Sequence, residues 1–406
     1  MTADIIPYEL YSDAPGFLLN KLEWEQANAA HPETSSFGSV PKGWPSQFSG
    51  PQTWTGQYLE QHPEKYIKHL SQEHIDEIDA AIKNWKKQSL LLSNISRSNF
   101  QLPILGPILR GVSNEIYNGI GIQILRGFPV QKYDKTDQII AFLGINAWIG
   151  DRRLNQGADR AICHIKSISH LDPENRGKIY VSAQDTNAQF FHSDAGSDVV
   201  GLMAVSLSGH GGASTVVSAG QVYNHLAIHR PDIVRLLAEK KFRWRANGIP
   251  DDGVHLIHNK DGRLFLNFST RTFIGYGEMP DRDADYPPLS FEEREAFAGW
   301  QWVADEVNNL HLQHARRGFA EDITNPRHLI RIWLSDSENS PELPEDIKRK
   351  FDAMFAEDPN FFPLDEIEED LRRRQSGIFT GSCKQETADE RLQSGGIEAL
   401  NSRVVR

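Results

Sequence analysis

A His-x-Asp motif, His192-Ser193-Asp194, is the part of this sequence with the clearest chemical meaning. Side chains two residues apart on an extended strand point to the same face, so this spacing presents an imidazole and a carboxylate together. Two histidines and one carboxylate form the facial ligand set of non-haem iron(II) sites, with open coordination positions opposite them. The motif therefore offers two of three ligands, and the third has to come from elsewhere in the chain.

The His-x-Asp spacing occurs three times, so the surrounding sequence has to distinguish the copies. His74-Ile75-Asp76 lies among apolar residues at helical spacing, which puts its His and Asp on different faces of a solvated helix. His170-Leu171-Asp172 enters a polar, proline-containing run that is typical of a turn. His192-Ser193-Asp194 follows Phe190-Phe191 and precedes an apolar run, 199–207, of strand character. Only this third copy is predicted to lie at the mouth of a buried sheet.

Candidates for the third ligand lie far along the chain, in the segment 308–316. His311 and His314 are both in this segment. If it is a strand, Leu310, Leu312 and His314 share one face, whereas His311 points the other way. The alternation favours His314 and leaves His311 as the alternative.

Further motifs follow His192-Ser193-Asp194 in a fixed order: an apolar strand, Gly211-Gly212-Ala213-Ser214, and, after a long gap, His314-Ala315-Arg316 and the segment 326–334. This ordered set resembles the taurine dioxygenase-like (TauD/TfdA) family of iron(II)/2-oxoglutarate-dependent dioxygenases, most closely its fungal members. The resemblance extends from about Trp54 to Leu334. Its specificity comes from the order, since each piece alone is common.

The resemblance implies an iron centre with His192, Asp194 and His314 as ligands and with 2-oxoglutarate and O2 as cosubstrates. Zinc(II) also accepts two histidines and one carboxylate, so a zinc hydrolase is an alternative. Four other histidines suit surface or satisfied core positions, and the sequence gives them no role: His225, His229, His255 and His258.

The resemblance also implies a pocket for the cosubstrate. Ser214 and Arg327 would hold the distal carboxylate of 2-oxoglutarate, and Arg331 would lie in or beside the site, where it can meet an anionic substrate group. A guanidinium offers a planar fork to a carboxylate, and a hydroxyl in a glycine-rich turn adds a hydrogen bond. The arginines could instead be solvated or paired charges, and Ser214 could serve the turn alone. The apolar residues of 329–334 favour a buried strand, in which an arginine needs an anionic partner.

The predicted fold is mainly β with flanking α-helices: a double-stranded β-helix, the jelly-roll of clavaminate synthase-like proteins. We expect an irregular N-terminal arm (1–50), a single jelly-roll dioxygenase domain (51–370) and a polar tail (371–406) that is disordered. Helices are predicted at 71–85, 107–118, 135–148, 221–227, 231–240 and from Ser290 to Val303, with a strand at 120–125 and a hairpin at 256–268.

One segment departs from the family pattern. Relatives carry a strand of the form Gly-Asp plus apolar residues just before the Asn-Asn that leads to the distal histidine. Here a helix runs through Val303, and Asn308-Asn309 follows within a few residues. A missing core strand would open a sheet edge and disturb the placement of His314. A gene-model error, a degenerate enzyme and a tolerated deletion all remain open.

The composition limits the partners and the compartment. The 43 Lys and Arg against 55 Asp and Glu give a net charge of -12, which argues against nucleic acid or an anionic membrane surface and favours a small-molecule substrate. Cys163 and Cys383 are too few for a disulfide framework, and no segment resembles a leader or a membrane span. We expect a soluble cytoplasmic protein, and the oligomeric state stays open.

The function expected from these observations is oxidation of an unactivated C–H bond of a small molecule, by hydroxylation or by desaturation or cyclisation. Besides the zinc hydrolase, an inactive jelly-roll that binds a small acid or a partner is an alternative, which the shortened segment makes plausible.

Overall fold

The computed structural model describes residues 19–30, 37–171, 182–194, 197–244, 249, 252–274, 286–306, 312–320, 322, 324, 326–356 and 358–376. Within these ranges the chain forms eleven α-helices and eleven β-strands. The helices are α1 Lys21–Ala29, α2 Gly56–Gln61, α3 Gln72–Lys86, α4 Leu105–Asn118, α5 Lys135–Ile149, α6 Ala219–His229, α7 Pro231–Glu239, α8 Arg271–Ile274, α9 Phe291–Glu306, α10 Glu345–Met354 and α11 Glu366–Ser376. The strands are β1 Ile67–His69, β2 Ile124–Arg126, β3 Arg152–Arg153, β4 Ile162–Lys166, β5 Gln189–His192, β6 Val199–Ser206, β7 Ser214–Ser218, β8 Ile257–Lys260, β9 Arg263–Leu266, β10 Leu312–Arg316 and β11 His328–Ser335.

Two antiparallel sheets form the centre of the fold. In the first sheet, β10 lies between β5 and β7. In the second sheet, β11 pairs with β6 along one edge and with β4 and β3 along the other. The remaining strands form a short parallel pair, β1 with β2, and a hairpin, β8 with β9. The two central sheets agree with the predicted jelly-roll.

Helices cover one face of each sheet, because that face carries a row of apolar side chains. On β11, Ile330, Ile332 and Leu334 pack into a core with residues of α3, α4 and α5. In the first sheet, Phe191 and Ala315 pack into a core with residues of α6, α7 and α9. Side chains alternate along a strand, so the polar residues between these apolar ones lie on the opposite faces of the sheets.

The jelly-roll part of the predicted fold agrees with the two sheets, but its description as mainly β is not supported, since 42% of the described residues are helical and 18% are in strands. The reason lies in the lengths of the elements. The longest strands, β6 and β11, have 8 residues each, whereas the helix α9 has 16. Long helices are needed to bury the apolar faces of short strands, so they dominate the count.

Local sequence signals placed several elements correctly. The Ser71 hydroxyl accepts the N–H of His74 at the start of α3, so His74 of the first His-x-Asp copy serves a helix cap. Ser290 and Glu293 exchange the two hydrogen bonds of a capping box at the start of α9. Asp261 and Gly262 form the turn between β8 and β9, both with positive φ, which confirms the predicted hairpin.

The structure differs from the prediction at both ends of the described chain. The arm expected to be irregular contains the helix α1, and Leu371 to Ser376, assigned to a disordered tail, belong to α11. The strand predicted at 120–125 is reduced to β2. Asp172 of the second His-x-Asp copy and the tail 377–406 lie outside the described residues. In the described part, no helix combines the length and apolar character needed to cross a membrane.

The connection between α9 and β10 falls on residues 307–311, which include Asn308, Asn309 and His311 and lie outside the described residues. Within the described part of the chain, β6 pairs with β11 alone, so no strand there covers its other edge. The loss of a strand before His314 stays a prediction.

Candidate metal centre

The strands β5 and β10 bring the three predicted iron ligands together. His192 ends β5 and lies opposite His314 of β10, with ring centroids 4.2 Å apart. Asp194 follows two residues after His192. Its Oδ1 lies 3.6 Å from His192 Nε2, and its Oδ2 lies 3.8 Å from His314 Nε2. One ligand atom from each of the three side chains lies within 4.8 Å of the others, a spacing that suits one bound metal ion.

Hydrogen bonds from outside the cluster orient two of these side chains. The Nδ1 of His192 lies 2.7 Å from the backbone carbonyl of Phe190, where an Nδ1–H donates and leaves Nε2 to face the cluster. The indole Nε1 of Trp333 donates to Asp194 Oδ2 at 2.8 Å. Metal-binding histidines and carboxylates are ordinarily fixed by partners of this kind. The chain thus supplies the outer contacts as well as the ligands.

Burial and neighbouring charges favour the protonation states that ligate metal. Burial alone raises the pKa of Asp194, but the guanidinium of Arg331 and the nearby His314 outweigh it and hold this pKa at about 2. Burial, together with the neighbouring His192, lowers the pKa of His314 to about 3. At neutral pH the cluster therefore contains a carboxylate and a neutral imidazole, which are the forms that bind a metal ion.

Side chains of α9 form hydrogen bonds with both strands, β5 and β10, that carry the predicted histidine ligands. The amide of Gln301 accepts the backbone N–H of Phe191 at 2.9 Å and donates to its carbonyl at 2.7 Å. The adjacent Trp300 donates from its indole to the side-chain oxygen of Gln313 at 2.6 Å. Phe191 precedes His192, and Gln313 precedes His314. Sequence reasoning predicted neither contact, since Phe191 lies 110 residues before Gln301 and the Trp300–Gln313 contact depends on how α9 packs against β10.

Arg331 lies beside the cluster and contacts two polar side chains there. Its Nη1 donates to Asp194 Oδ2 at 3.2 Å, and its Nε donates to Gln156 Oε1 at 3.0 Å. The guanidinium also lies over the ring of Trp333, 4.3 Å from the centroid. Arg331 therefore contacts a predicted metal ligand directly, and its role toward 2-oxoglutarate or a substrate anion stays a prediction.

Arg327 is a buried cation with spare hydrogen-bonding capacity. Its side chain is 5% exposed, and its Nε donates to the carbonyl of Gly212 at 3.0 Å. Among the described residues, its Nη1 is buried without a hydrogen-bond partner. Burial and the neighbouring Arg316 lower the pKa of Arg327 to about 10, which leaves it charged at neutral pH. A buried guanidinium with an unused donor suits a bound carboxylate.

Glycine is required where the turn meets Arg327. Gly212 has φ of +73°, and a Cβ there would come within 2.7 Å of Arg327 Cδ. Ser214 follows in the same turn and begins β7, with an exposed side chain. Arg327 therefore contacts the glycine turn two residues before Ser214, and the role of Ser214 toward the cosubstrate stays a prediction.

Arg316 is a candidate that the sequence reasoning did not assign. It lies opposite Ser214 across the sheet, two residues after His314, and is 4% exposed. The ring of Phe319 lies near both guanidiniums, with its centroid 5.2 Å from Arg316 and 5.5 Å from Arg327. The alternation in His314-Ala315-Arg316 already indicated that this arginine shares a face with the ligand. Its Nη2 donates to the carbonyls of Asp185 and Asn187 and lies 3.7 Å from the Asp185 carboxylate, so this guanidinium is held beside the predicted cosubstrate pocket by protein contacts.

Several known proteins are similar to this chain. The family model described as "Taurine catabolism dioxygenase TauD, TfdA family" matches residues 87–293. The taurine hydroxylase-like protein SAT17 of Stachybotrys chartarum (strain CBS 109288 / IBT 7711) is 31% identical over 329 residues, which cover 75% of this chain and 84% of that protein. The FR-33289 synthase of Streptomyces rubellomurinus (strain ATCC 31215) is 23% identical over 297 residues, which cover 66% of this chain and 84% of that protein.

Solved structures of two oxygenases are also similar. Asparagine oxygenase (AsnO) is 14% identical with a TM-score of 0.48, covering 66% of this chain and 93% of that chain. The non-haem iron oxygenase OrfP in complex with Fe is 10% identical with a TM-score of 0.45, covering 69% of this chain and 97% of that chain.

Proposed function

The chain belongs to the taurine catabolism dioxygenase (TauD/TfdA) family, and from this premise we propose that it is an iron(II)/2-oxoglutarate-dependent dioxygenase that oxidises an unactivated C–H bond of a small molecule. The products from the cosubstrate are succinate and CO2. Hydroxylation is the default outcome, with desaturation or cyclisation as variants.

One observation carries the proposal: the side chains of His192, Asp194 and His314 converge, with their ligand atoms within 4.8 Å of one another. The outer contacts from Phe190 and Trp333 add the orientation that an iron site needs. The buried Arg327, with its unused donor, adds a binding point for the cosubstrate carboxylate.

The protein residues hold, orient and shield the reactants. Bound iron(II), with 2-oxoglutarate and O2, supplies the oxidising chemistry. His192, Asp194 and His314 hold the metal, while Arg327 and Ser214 bind the far carboxylate of 2-oxoglutarate. Arg331, paired with Asp194, fixes the carboxylate ligand and offers positive charge beside it.

We also propose a small-molecule substrate and a cytoplasmic location. The net charge of -12 opposes binding to nucleic acid. Cys163 is a free, buried thiol in the structure, which is compatible with a reducing compartment.

The direct test is an anaerobic titration of the metal-free protein with iron(II) and then 2-oxoglutarate. We expect a weak visible charge-transfer band that needs both reagents. Arg327→Ala should weaken the band while iron still binds. Arg126→Ala, which removes an exposed arginine from β2, should leave it unchanged. With a substrate found by screening, succinate should form only when O2 is present.

Two outcomes would contradict the proposal. If no band forms and no succinate is released although the protein is folded, the chain is an inactive jelly-roll. If zinc(II) supports an O2-independent hydrolysis at this site, the chain is a hydrolase.

A further inference from the structure

A second cluster of two histidines and one carboxylate is built by other elements. It consists of His255, just before β8, His258 within β8, and Asp346 in the first turn of α10. One ligand atom from each side chain lies within 4.8 Å of the others. All three residues are partly buried. The sequence alone gives the two histidines no role, because Asp346 lies far along the chain and only the fold brings it to them.

We propose that His255, His258 and Asp346 bind a divalent transition-metal ion, with zinc(II) as the natural occupant, at a site separate from the candidate iron centre. Imidazole and carboxylate together are common zinc ligands, and water completes the shell where the protein offers three donors. Magnesium and calcium prefer oxygen ligands, so two imidazoles argue against them.

His255 and Asp346 lie side by side at a hydrogen-bond distance, which a bound ion would widen slightly as it displaces the Nδ1 proton. Their Nδ1 and Oδ2 atoms are 2.9 Å apart. Zinc holds nitrogen and oxygen ligands at about 2.0 to 2.2 Å, so two of its ligands lie about 3 to 3.5 Å apart. The backbone N–H of His255 also donates to Asp346 Oδ2, at 3.2 Å, which fixes the carboxylate beside the imidazole.

His258 has the outer contact that is typical of a metal-binding histidine. Its Nε2 lies 3.1 Å from the backbone carbonyl of His255. When Nε2–H donates to that carbonyl, Nδ1 is the unprotonated nitrogen that can ligate. A bond of this kind sets both the tautomer and the direction of the ring before a metal arrives.

The backbone around the cluster is fixed on both sides. Val254 exchanges two backbone hydrogen bonds with Phe242, at 2.8 and 3.0 Å, and Leu256 donates to the carbonyl of Leu237 at 3.1 Å. On the α10 side, Lys260 pairs with Glu342 at 2.6 Å. The first contacts anchor the segment that carries His255, and Lys260, which also donates to the carbonyl of Leu343 at 3.3 Å, links β8 to the segment before α10.

The ion would connect two elements that adjoin the His-x-Asp motif of the candidate iron centre. The chain after β9 reaches Phe268, whose carbonyl accepts the N–H of Ser193 at 2.9 Å. Phe351 of α10 belongs to the same small core as Trp333, whose indole donates to Asp194. Zinc at this cluster should therefore stabilise the region that carries two of the iron ligands.

The test uses a variant that lacks two ligands of the candidate iron centre, so that zinc binding at the second cluster is measured by itself. The double variant His192→Ala, Asp194→Ala is freed of metal and titrated with zinc(II) against a chromophoric chelator. We expect one equivalent of zinc to bind. Adding His258→Ala or Asp346→Asn should abolish that equivalent. Adding His62→Ala should leave it, because His62 has a neighbouring carboxylate at 3.4 Å, Glu64, but belongs to no three-ligand group among the described residues.

A second measurement distinguishes a loss of zinc binding from a loss of folding. Zinc should raise the unfolding midpoint of the double variant, since binding to the folded state alone stabilises it. It should not raise the midpoint of the same protein with His258→Gln, which keeps a polar side chain at the position. If the double variant binds no zinc at stoichiometric concentration, or if the His258 variants keep the equivalent, the proposal is wrong. Failure of the iron assignment is distinct, because the wild-type protein and the double variant would then bind the same number of ions.

Discussion

The side-chain amide of Gln301 pairs with both backbone groups of Phe191, accepting from its N–H and donating to its carbonyl. This is the pair of hydrogen bonds that an antiparallel strand would provide. Ser193, two residues on, donates its N–H to the carbonyl of Phe268. Gln301 thus provides hydrogen bonds to the backbone just before His192, and the segment at Phe268 provides one to the backbone just after it. A regular strand would be expected to supply these hydrogen bonds. The position of His192 therefore depends on the hydrogen bonds made by Gln301 and Phe268.

Replacing Gln301 with Leu should destabilise the protein and loosen the metal centre. Both backbone groups of Phe191 would lose their partner in a buried environment, at about 1 to 3 kcal/mol for each group. We expect the free energy of unfolding in urea to fall by an amount in this range or above it, and iron to bind more weakly. Gln61→Leu, at an exposed position at the end of α2, is the matched control and should change neither quantity. Equal stability of the two variants would show that the amide pair is unimportant.

The sequence predicted the parts of the fold that depend on neighbouring residues. Three such predictions were correct: the serine cap before α3, the capping box before α9 and the Asp261-Gly262 turn. Each depends on contacts within a few residues. The choice of His192 and His314 as ligands rested on strand alternation and on the resemblance of the ordered motifs to the TauD/TfdA family. It did not require knowledge of the sheet.

Contacts between distant segments were beyond the sequence. Three features join residues that are widely separated along the chain: the contact of Gln301 with Phe191, the contact of Arg331 with Asp194, and the cluster around Asp346. The sequence around a glutamine or arginine does not indicate which distant residue it contacts, because tertiary packing decides which side chains are buried together. The excess of helix has a related cause: local signals predict each helix singly, whereas the amount of helix needed to cover the short strands is decided by tertiary packing.

Asp194→Ala should remove iron and activity together. The replacement leaves two imidazoles and removes the only anionic member of the predicted ligand set, so metal content and turnover should fall to the same extent. Asp76→Ala is the matched control, since Asp76 is the exposed carboxylate of another His-x-Asp copy and should have no effect. Metal content is measured in the His258→Ala background to exclude the second cluster. Stoichiometric iron in a folded His192→Ala, Asp194→Ala protein in that background would refute the ligand assignment.

Arg327→Ala and Arg331→Ala should have different effects on 2-oxoglutarate. Loss of one partner of a desolvated charge pair costs about 2 to 5 kcal/mol, so Arg327→Ala should raise the dissociation constant of 2-oxoglutarate tens- to thousands-fold while iron still binds. Arg331→Ala should weaken iron binding as well, because it removes a hydrogen bond that orients Asp194. Both constants are measured by anaerobic titration of the charge-transfer band. If Arg331→Ala impairs 2-oxoglutarate binding more than Arg327→Ala does, the two roles are reversed.

The uncovered edge of β6 leads to a prediction about the shortened segment before His314. In the described part of the chain β6 pairs with β11 alone, and the sequence between α9 and β10 is short. A strand of ordinary length buries several apolar side chains, each worth about 1.5 to 3 kcal/mol when fully buried. Its loss is therefore comparable with the whole net stability of a domain, about 5 to 15 kcal/mol.

We expect the chain as it stands to have a low melting temperature and to retain iron weakly. Grafting the helix-to-strand segment of a relative between Ala304 and Asn308 should raise both, because the new strand would cover an open edge and fix the start of β10. A graft of equal length made of Gly and Ser is the control, and it should raise neither, since it adds chain without apolar side chains. Melting temperature by calorimetry and iron stoichiometry after gel filtration are the measurements. If the ungrafted chain binds iron fully and turns over at about 10 per second, near the median for enzymes, the strand was never needed and the alignment of the segment before His314 is wrong.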